Sequence, residues 1–486
     1  MLAEKSTCIG CSACAAVCPT KAIDMQRDNS GFLYPAVIPE RCISCGKCTR
    51  ACPILTPAAV PSSHNLDVYS GHFSSADKTL ESASGGFVSA LSESVIHSGG
   101  VVYGVCYNED FSRAVYCRAD TLASLEAMKG SKYIMSEITP EIYGELENDL
   151  RTEKNVLFIG CPCEVYAVKN YFKEKYENLL TCELICQGGT SPRALRLFVR
   201  DLEEQYHSRV KNLNMRAKRD GSAVPAIMRA EMESGDTFWE PLETTDFDAV
   251  FRHVKRECCY NCRFKMPHDV ADFTAGDHIG MSEGDQCFFK SGVSIIFVHT
   301  PKAEQWVQRL NHFVLDKETF SRGAGIQTCL FHSIEKSLFY EKLVDDLHHD
   351  KLKGAAQEIQ KMKCSILSGT IKDAKEKLGN KPQKLLIWGV GKYFRITWDT
   401  VKTYFPDSSV IGIVDKYKTG ERCGVPIIRP EAISDLDFDH VFINSVGAQK
   451  EALDLLTALF GKDNCKHYYT LVMLPSDLKH DIAEEE

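Results

Sequence analysis

Cys8, Cys11, Cys14 and Cys18 stand at C-x2-C-x2-C-x3-C-P, and Cys42, Cys45, Cys48 and Cys52 repeat that spacing. Two-residue gaps in a tight loop let three thiolates reach three corners of an iron cubane, and in a duplicated grid the fourth ligand comes from the other copy. The repeat therefore predicts two 4Fe-4S clusters, one held by Cys8, Cys11, Cys14 and Cys52 and the other by Cys42, Cys45, Cys48 and Cys18. Pro19 and Pro53 turn the chain after each grid. Zinc normally uses two CxxC pairs and disulfides need an oxidising compartment, so neither accounts for a duplicated four-cysteine grid. The chemistry predicted is one-electron transfer.

Further cysteines gather in three short stretches: Cys161 and Cys163, Cys182 and Cys186, and Cys258, Cys259 and Cys262. The C-x2-C of Cys259 and Cys262 serves zinc as readily as a cubane. Gly85 and Gly86 precede a helical pattern, where backbone N–H groups can face a phosphate without a Cβ in the way, although a bare Gly-Gly is more often only a turn. In "KGSKYIMS", Lys129 and Lys132 provide cations, Ser131 a hydroxyl and Tyr133 an aromatic plane, the equipment for gripping a phosphorylated flavin; the plainer reading is a charged loop. Cys106, Cys117, Cys287, Cys329, Cys364, Cys423 and Cys465 lack ligand spacing and read as buried small hydrophobes.

From Ser82 to Gly292 the motifs run in order as "SGGFVSAL", "KGSKYIMS", "VLFIGCPCEVYAVK", "LICQGGTSP", "MRAKRDG", "CCYNCRFK", "ADFTAGDHIG" and "SGVSIIFVHT". In this collinear set the chain resembles the beta subunit of coenzyme F-420 hydrogenase/dehydrogenase, an iron-sulfur flavoprotein family whose members often carry an N-terminal ferredoxin module. The resemblance implies FAD near Gly85, Gly86, Lys129, Ser131, Lys132 and Tyr133. It also implies a further 4Fe-4S cluster beside the flavin, with Cys163, Cys186, Cys259 and Cys262 where the family motifs place cysteine and Cys161, Cys182 and Cys258 as bystanders. "GDHIG" would close over flavin or phosphate through Gly276 and Asp277, with His278 as a candidate acid/base, although an isolated histidine is more often structural. Departures from the family pattern fall at Cys161 for Thr, Glu164 for Gln, Gln187 for His, and "GDHIG" for "GDFWG".

These residues need a scaffold. The 486 residues carry 44% apolar side chains and a net charge of -9, enough for several cores and without the basic stripe that nucleic acid requires. No charged leader with an apolar run opens the chain and no long apolar run follows, so the expectation is a cytoplasmic protein without a membrane span; 22 cysteines in that setting point to clusters and an anaerobic host. Alternating strand and helix patterns predict an α/β multidomain protein. Its parts are a small α+β ferredoxin module over 1–60, an α/β flavin and iron-sulfur body over 61–340, a helical linker over 341–380, a Rossmann-like domain over 381–475 and a tail over 476–486. In the Rossmann-like domain, Gly389 and Gly391 fill two positions of a dinucleotide fingerprint whose third is Phe394, and Asp415 falls where a ribose-binding acid would stand. A structural or docking role outweighs nucleotide or nucleotide-sugar binding there, and Trp388 and Trp398 read as core.

The sequence thus reads as an iron-sulfur flavoprotein oxidoreductase passing electrons between ferredoxin-type clusters and FAD. Its expected substrate is a small molecule or sugar, with surface polysaccharide modification as one setting, and its expected partner is ferredoxin or another redox protein. The rival reading is a relay subunit of a larger hydrogenase or dehydrogenase complex.

Overall fold

The computed structural model describes residues 2–57, 67–173, 175–219, 221–266, 270–281, 283–324, 327–391, 394–416, 418–444, 449–460 and 468–470. The linker expected near residue 60, Cys465 and the tail lie outside them. The protein is mixed α/β with several sheets, and it divides into two compact units, 1–336 with 340–356, and 337–339 with 357 onward.

The first unit opens with a ferredoxin-like region in which strands Ile23–Arg27 and Leu33–Val37 pair antiparallel between the short helices Ala13–Ala16 and Lys47–Ala51. Both cysteine copies invert the backbone at the same two places. Gly10 and Ser12 have φ of 73° and 59°, and Ser44 and Gly46 have 54° and 70°. A left-handed residue costs a non-glycine about 1 kcal/mol, so the recurrence of that conformation at Ser12 and Ser44 marks a loop shape kept against local preference.

Behind it stands an eight-stranded sheet, ordered Phe313–Glu318, Asp67–Phe73, Ser294–Val298, Phe273–Asp277, Leu179–Leu184, Val156–Gly160, Val101–Tyr107 and Ala114–Ala119. The four strands from Phe273–Asp277 to Val101–Tyr107 are parallel to one another, and the flanking pairs are antiparallel. Alternate side chains sort to opposite faces, as the pleat requires. Val102, Leu157 and Ile159 join Phe87, Leu91 and Val95 of helix Phe87–His97 in one core. Tyr103, Val156 and Phe158 join Tyr143 and Leu146 of helix Pro140–Arg151, and Val165 and Val168 of helix Pro162–Phe172, in the other. Ala13, beside the first cysteine copy, is buried in that second core. A three-stranded antiparallel sheet, Thr237–Pro241, Ser222–Met232 and Val210–Arg219, completes the unit.

The region expected as a helical linker contains helices Tyr340–His348 and Ala355–Leu378. In the second unit, Leu367, Ile371 and Ala374 pack with Leu385 and Ile387 under a sheet whose strands Val425–Ile428, Ser409–Val414, Lys384–Trp388, His440–Ile443 and Tyr468–Thr470 run parallel. Trp388 is buried and Trp398 packs on the core, as expected for structural tryptophans. Among the described residues, no helix is long and apolar enough to cross a membrane.

Candidate iron-sulfur and cofactor sites

The two cysteine copies are placed unequally. Cys8, Cys11, Cys14 and, from the other copy, Cys52 line one cavity together with Ile9, Met25 and Ile54, and Cys18 is not among its lining residues. Burial there pushes the Cys11 thiol up to about 12, against a hydrogen bond from the Ala13 backbone, with Cys8 and Cys52 adding repulsion. Thiols that oppose one another's ionisation in an apolar cavity are a donor set that only bound cations neutralise, and the residues fit a cluster. Cys18 accepts the Ala22 N–H at 3.2 Å, while Cys42 and Cys45 are exposed. Body residues grip the buried side: Tyr143 donates to the Cys11 carbonyl at 2.8 Å, Asn170 to the Ala51 carbonyl at 3.1 Å, and Arg27 pairs with buried Glu137.

The other cysteines meet where parallel strands end. Strand Val156–Gly160 runs into Cys161, the N-cap of helix Pro162–Phe172. The Glu164 carboxylate accepts the Cys161 N–H at 2.7 Å in a capping-box arrangement, and this sets Cys163 in the first helical turn. Cys186 follows strand Leu179–Leu184, and Cys258, Cys259 and Cys262 lie on or beside the 3-10 turn Glu257–Asn261. Burial, then Glu164, Cys186, Cys259 and Cys262, all hold the Cys163 thiol protonated, so these sulfurs share one environment. The Gly188 N–H donates to the Cys186 sulfur at 3.2 Å and the Gly189 N–H to the Cys259 sulfur at 3.4 Å, the kind of contact that stabilises cluster ligands. Cys161 shares a hydrogen bond with Cys186, and Cys258 with Cys259. Cys182 lies apart in the sheet core, fully buried. Among the described residues, no group of three or more His, Cys, Asp or Glu side chains is set as the ligands of a metal ion.

Around it stand cations that spacing in the sequence does not single out. Lys255 is 2% exposed, donates to the Thr190 hydroxyl at 2.9 Å and lies 4.0 Å from the Phe251 ring. Lys265 donates to the carbonyls of Cys186 at 2.8 Å and Cys329 at 2.6 Å. Burial is the largest influence on Lys255, pulling its ammonium down to about 8, and Cys186 and Cys259 act against it. A buried cation is costly unless negative charge faces it, and Lys255 is buried and Lys265 half-buried beside these cysteines. Cys329, read from sequence as a small hydrophobe, sits close enough to feel Cys186 and Lys265.

The residues expected around a flavin are only partly brought together. Tyr133 hydrogen-bonds with Ser131 and Arg216, Arg216 pairs with Asp277, and the Tyr133 ring lies 4.8 Å from that of Phe251. Lys218 donates to the Ser84 carbonyl at 2.6 Å, and the Ser84 hydroxyl donates to the Gly276 carbonyl at 3.2 Å. Ser131, Tyr133, Gly276 and Asp277 thus form one polar cluster, organised by Arg216 and Lys218 from strand Val210–Arg219. Their i, i+2 spacing in "MRAKRDG" was the available signal, since it puts both cations on one face of a strand.

Other expected contacts are used up within the protein. The Gly85 N–H donates to the Ser294 hydroxyl at 3.0 Å, the Gly86 N–H to the Ala83 carbonyl at 3.0 Å, and the Phe87 N–H to Ser294 at 3.4 Å. A Cβ at Gly85 would stand 2.1 Å from the Gly71 carbonyl oxygen, and Gly86 combines φ +90° with the Phe73 ring at 2.5 Å. Close packing, not an open phosphate cradle, explains both glycines here. Lys132 caps a 3-10 turn through the carbonyls of Met128 and Lys129, both at 2.8 Å, and Lys129 pairs with Glu126 at 2.8 Å. The His278 side chain is 1% exposed and faces Glu318 at 3.7 Å, so the acid/base expectation meets an enclosed imidazole. In the second unit, the Asp415 carboxylate accepts the N–H groups of Val390 at 3.1 Å and Lys418 at 2.9 Å, closing the turn after Gly389.

Residues 153–318 match the model for the C-terminal part of the coenzyme F420 hydrogenase/dehydrogenase beta subunit, and residues 7–54 match that for a 4Fe-4S dicluster domain. One subunit of the F(420)H(2) dehydrogenase of Methanosarcina mazei is 22% identical over 227 residues, 43% of this chain and 64% of that protein. One subunit of the Na(+)-translocating ferredoxin:NAD(+) oxidoreductase complex of Acetobacterium woodii is 41% identical over 66 residues, 14% of this chain and 19% of that one. The chain spans less than two thirds of the length of each of these relatives. A chain of the F420-reducing [NiFe] hydrogenase complex from Methanosarcina barkeri, solved in a xenon derivatization study, covers 63% of this chain and 94% of its own at 17% identity and a TM-score of 0.37. Residues 153–318 belong to the family of coenzyme F420 hydrogenase/dehydrogenase beta subunits, and a 4Fe-4S dicluster domain precedes them on the same chain.

Proposed function

We propose that the protein is an iron-sulfur flavoprotein oxidoreductase with a third cluster at the strand ends. The observation that carries this reading is the shared environment of Cys163, Cys186, Cys259 and Cys262 beside the buried Lys255 and the half-buried Lys265. Bound clusters supply one-electron transfer, and bound FAD joins it to a two-electron step. Within this reading the four cysteines hold iron, and the Gly188 and Gly189 amides and the two lysines offset its negative charge. Ser131, Tyr133, Arg216, Lys218 and Asp277 would hold the flavin, with Arg216 and Lys218 the cations offered to its phosphates. The second unit is a Rossmann-like docking or nucleotide-sugar domain, and modification of surface polysaccharide is the substrate class that this last reading favours.

A second reading, a relay subunit, draws support from the enclosed His278 and from the exposed Cys42 and Cys45, with Ile43 63% exposed between them. One experiment separates the two. The chain purified without oxygen is assayed for flavin, then offered reduced ferredoxin, reduced nicotinamide and reduced deazaflavin while flavin absorbance is followed. The enzyme reading expects about one FAD per chain and its bleaching by at least one donor. Absence of flavin, with iron present, would replace it by the relay.

A further inference from the structure

Arg256 occupies the ground between the two buried cysteine sites. Its guanidinium is 1% exposed. Nε donates to the Cys8 carbonyl and Nη2 to the Leu33 carbonyl, both at 2.8 Å, while the Tyr34 ring lies 4.1 Å away and the Phe32 ring 5.5 Å. The backbone of the same residue is tied to the other site. Its N–H donates to the Gly189 carbonyl at 2.8 Å, and its carbonyl accepts the Cys259 N–H at 2.9 Å. Cys8 is therefore joined to Cys259 by one side chain and two hydrogen bonds.

The first cysteine copy is shaped for this contact. A Cβ at Gly10 would stand 2.9 Å from Nη1 of Arg256 and 2.9 Å from the Leu33 carbonyl oxygen, at φ +73°. The equivalent position of the second copy is Ser44, flanked by exposed Cys42 and Cys45. The second copy receives a guanidinium from within its own loop, Arg50 donating to the exposed Cys45 carbonyl at 3.2 Å, whereas the first copy takes a buried one from the body.

We propose that Arg256 is a positioning residue for electron exchange between the Cys8, Cys11, Cys14 and Cys52 site and the Cys163, Cys186, Cys259 and Cys262 site. It makes the first site the inner neighbour of the body and leaves Cys42, Cys45 and Cys48 outermost. The proposal rests on the iron-sulfur reading given above. One electron leaves the occupant of one site and enters the occupant of the other, and the guanidinium keeps its proton and charge throughout. A buried cation held at both sites fixes their separation and balances negative charge on either side.

The test uses the full chain, loaded with iron and purified without oxygen, in four forms: wild type, Arg256→Met, Arg256→Lys and Tyr143→Phe. Tyr143 also donates to the first copy, at the Cys11 carbonyl and close to its thiol, and so reports on a body contact that does not reach the strand-end site. Iron content is measured first. A substoichiometric one-electron reductant is then mixed in, and freeze-quenched paramagnetic resonance spectra follow the electron as it redistributes between the sites. The expectation is redistribution slowed about tenfold in Arg256→Met, the factor a hydrogen bond to a charged group is worth, with partial recovery in Arg256→Lys and the wild-type rate in Tyr143→Phe. A wild-type rate in Arg256→Met with full iron overturns the proposal, as does equal slowing in Tyr143→Phe. If Arg256→Met loses iron, Arg256→Lys carries the test, and a wild-type rate there overturns it. If wild type itself holds no iron at the strand-end cysteines, the third cluster fails and the proposal falls with it.

Discussion

Replacing Gly85 with alanine should destabilise the first unit whether or not any cofactor is bound. The new Cβ would stand 2.1 Å from the Gly71 carbonyl oxygen and 2.6 Å from the Ser294 nitrogen, where ordinary contact begins at 3.4 Å. Both opposing atoms are backbone in adjacent strands, so no rotamer change relieves the clash, and the turn must move by about 1 Å. Overpacking of this kind costs roughly 1–3 kcal/mol. The same movement stretches the bond from the Gly85 N–H to Ser294 and that from the Phe73 N–H to the Gly85 carbonyl, both 3.0 Å long. Each contributes about 0.5–1.5 kcal/mol, which brings the expected loss to roughly 2–6 kcal/mol. Urea unfolding of the cofactor-free chain, followed by circular dichroism, reads this as a lower midpoint at unchanged slope. A phosphate cradle makes the opposite forecast, normal stability with cofactor lost. A shift below about 0.5 kcal/mol together with depleted flavin would refute the packing argument.

The remaining predictions concern single contacts and the division of the chain. Burial holds the Lys132 ammonium near 8, against 10.5 in the unfolded chain, so the unfolded state binds more protons between those values and stability should rise as pH climbs from about 8 to 10.5. Burial draws Lys255 and Lys218 down to about 8 as well, so the rise should become smaller in Lys132→Met without vanishing, and a slope unchanged by that substitution counts against it. Arg27→Ala strips the main partner from Glu137, whose side chain is 5% exposed, leaving Arg113 at 3.5 Å; the half-open position of Arg27 limits the cost to about 1–3 kcal/mol, visible in the same unfolding assay. An unchanged midpoint would show that Arg113 compensates fully. A chain ending at residue 356 should fold with the iron content of the full protein, and loss of iron on truncation would contradict the division into two units.

How much of this was legible in the sequence follows from how local each signal is. The cysteine copies and the strand and helix patterns around Asp67–Phe73, Phe87–His97 and Val156–Gly160 are short-range, and periodicity or spacing suffices to find them. Arg256 meets Cys8 across 248 positions of chain, and nothing in "KRECC" announces that an arginine will be buried against a distant cysteine loop. Gly85 and Gly86 look alike to a phosphate loop and to a crowded strand crossing, because both need an absent Cβ, and only the neighbouring backbone tells them apart. His278 drew notice as a polar residue in a glycine turn, but its burial depends on Glu318 arriving from a strand far along the chain. Cys106 and Cys117 had no ligand spacing, yet their diagonal positions on paired strands bring the thiols into hydrogen-bond contact near Lys132, and the Cys117 hydrogen bond draws Cys106 down to about 7.

Counting iron tests the proposed third cluster at the strand ends. The full chain, reconstituted and handled without oxygen, should hold about twelve iron atoms, four for each of three cubanes, and Cys259→Ala with Cys262→Ala should reduce that to about eight. If Cys161 and Cys258, which share hydrogen bonds with Cys186 and Cys259, are bystanders as proposed, Cys161→Ser and Cys258→Ser should each leave the count at about twelve. About eight iron atoms in the unaltered chain, or zinc at the Cys259 and Cys262 site, would contradict the account.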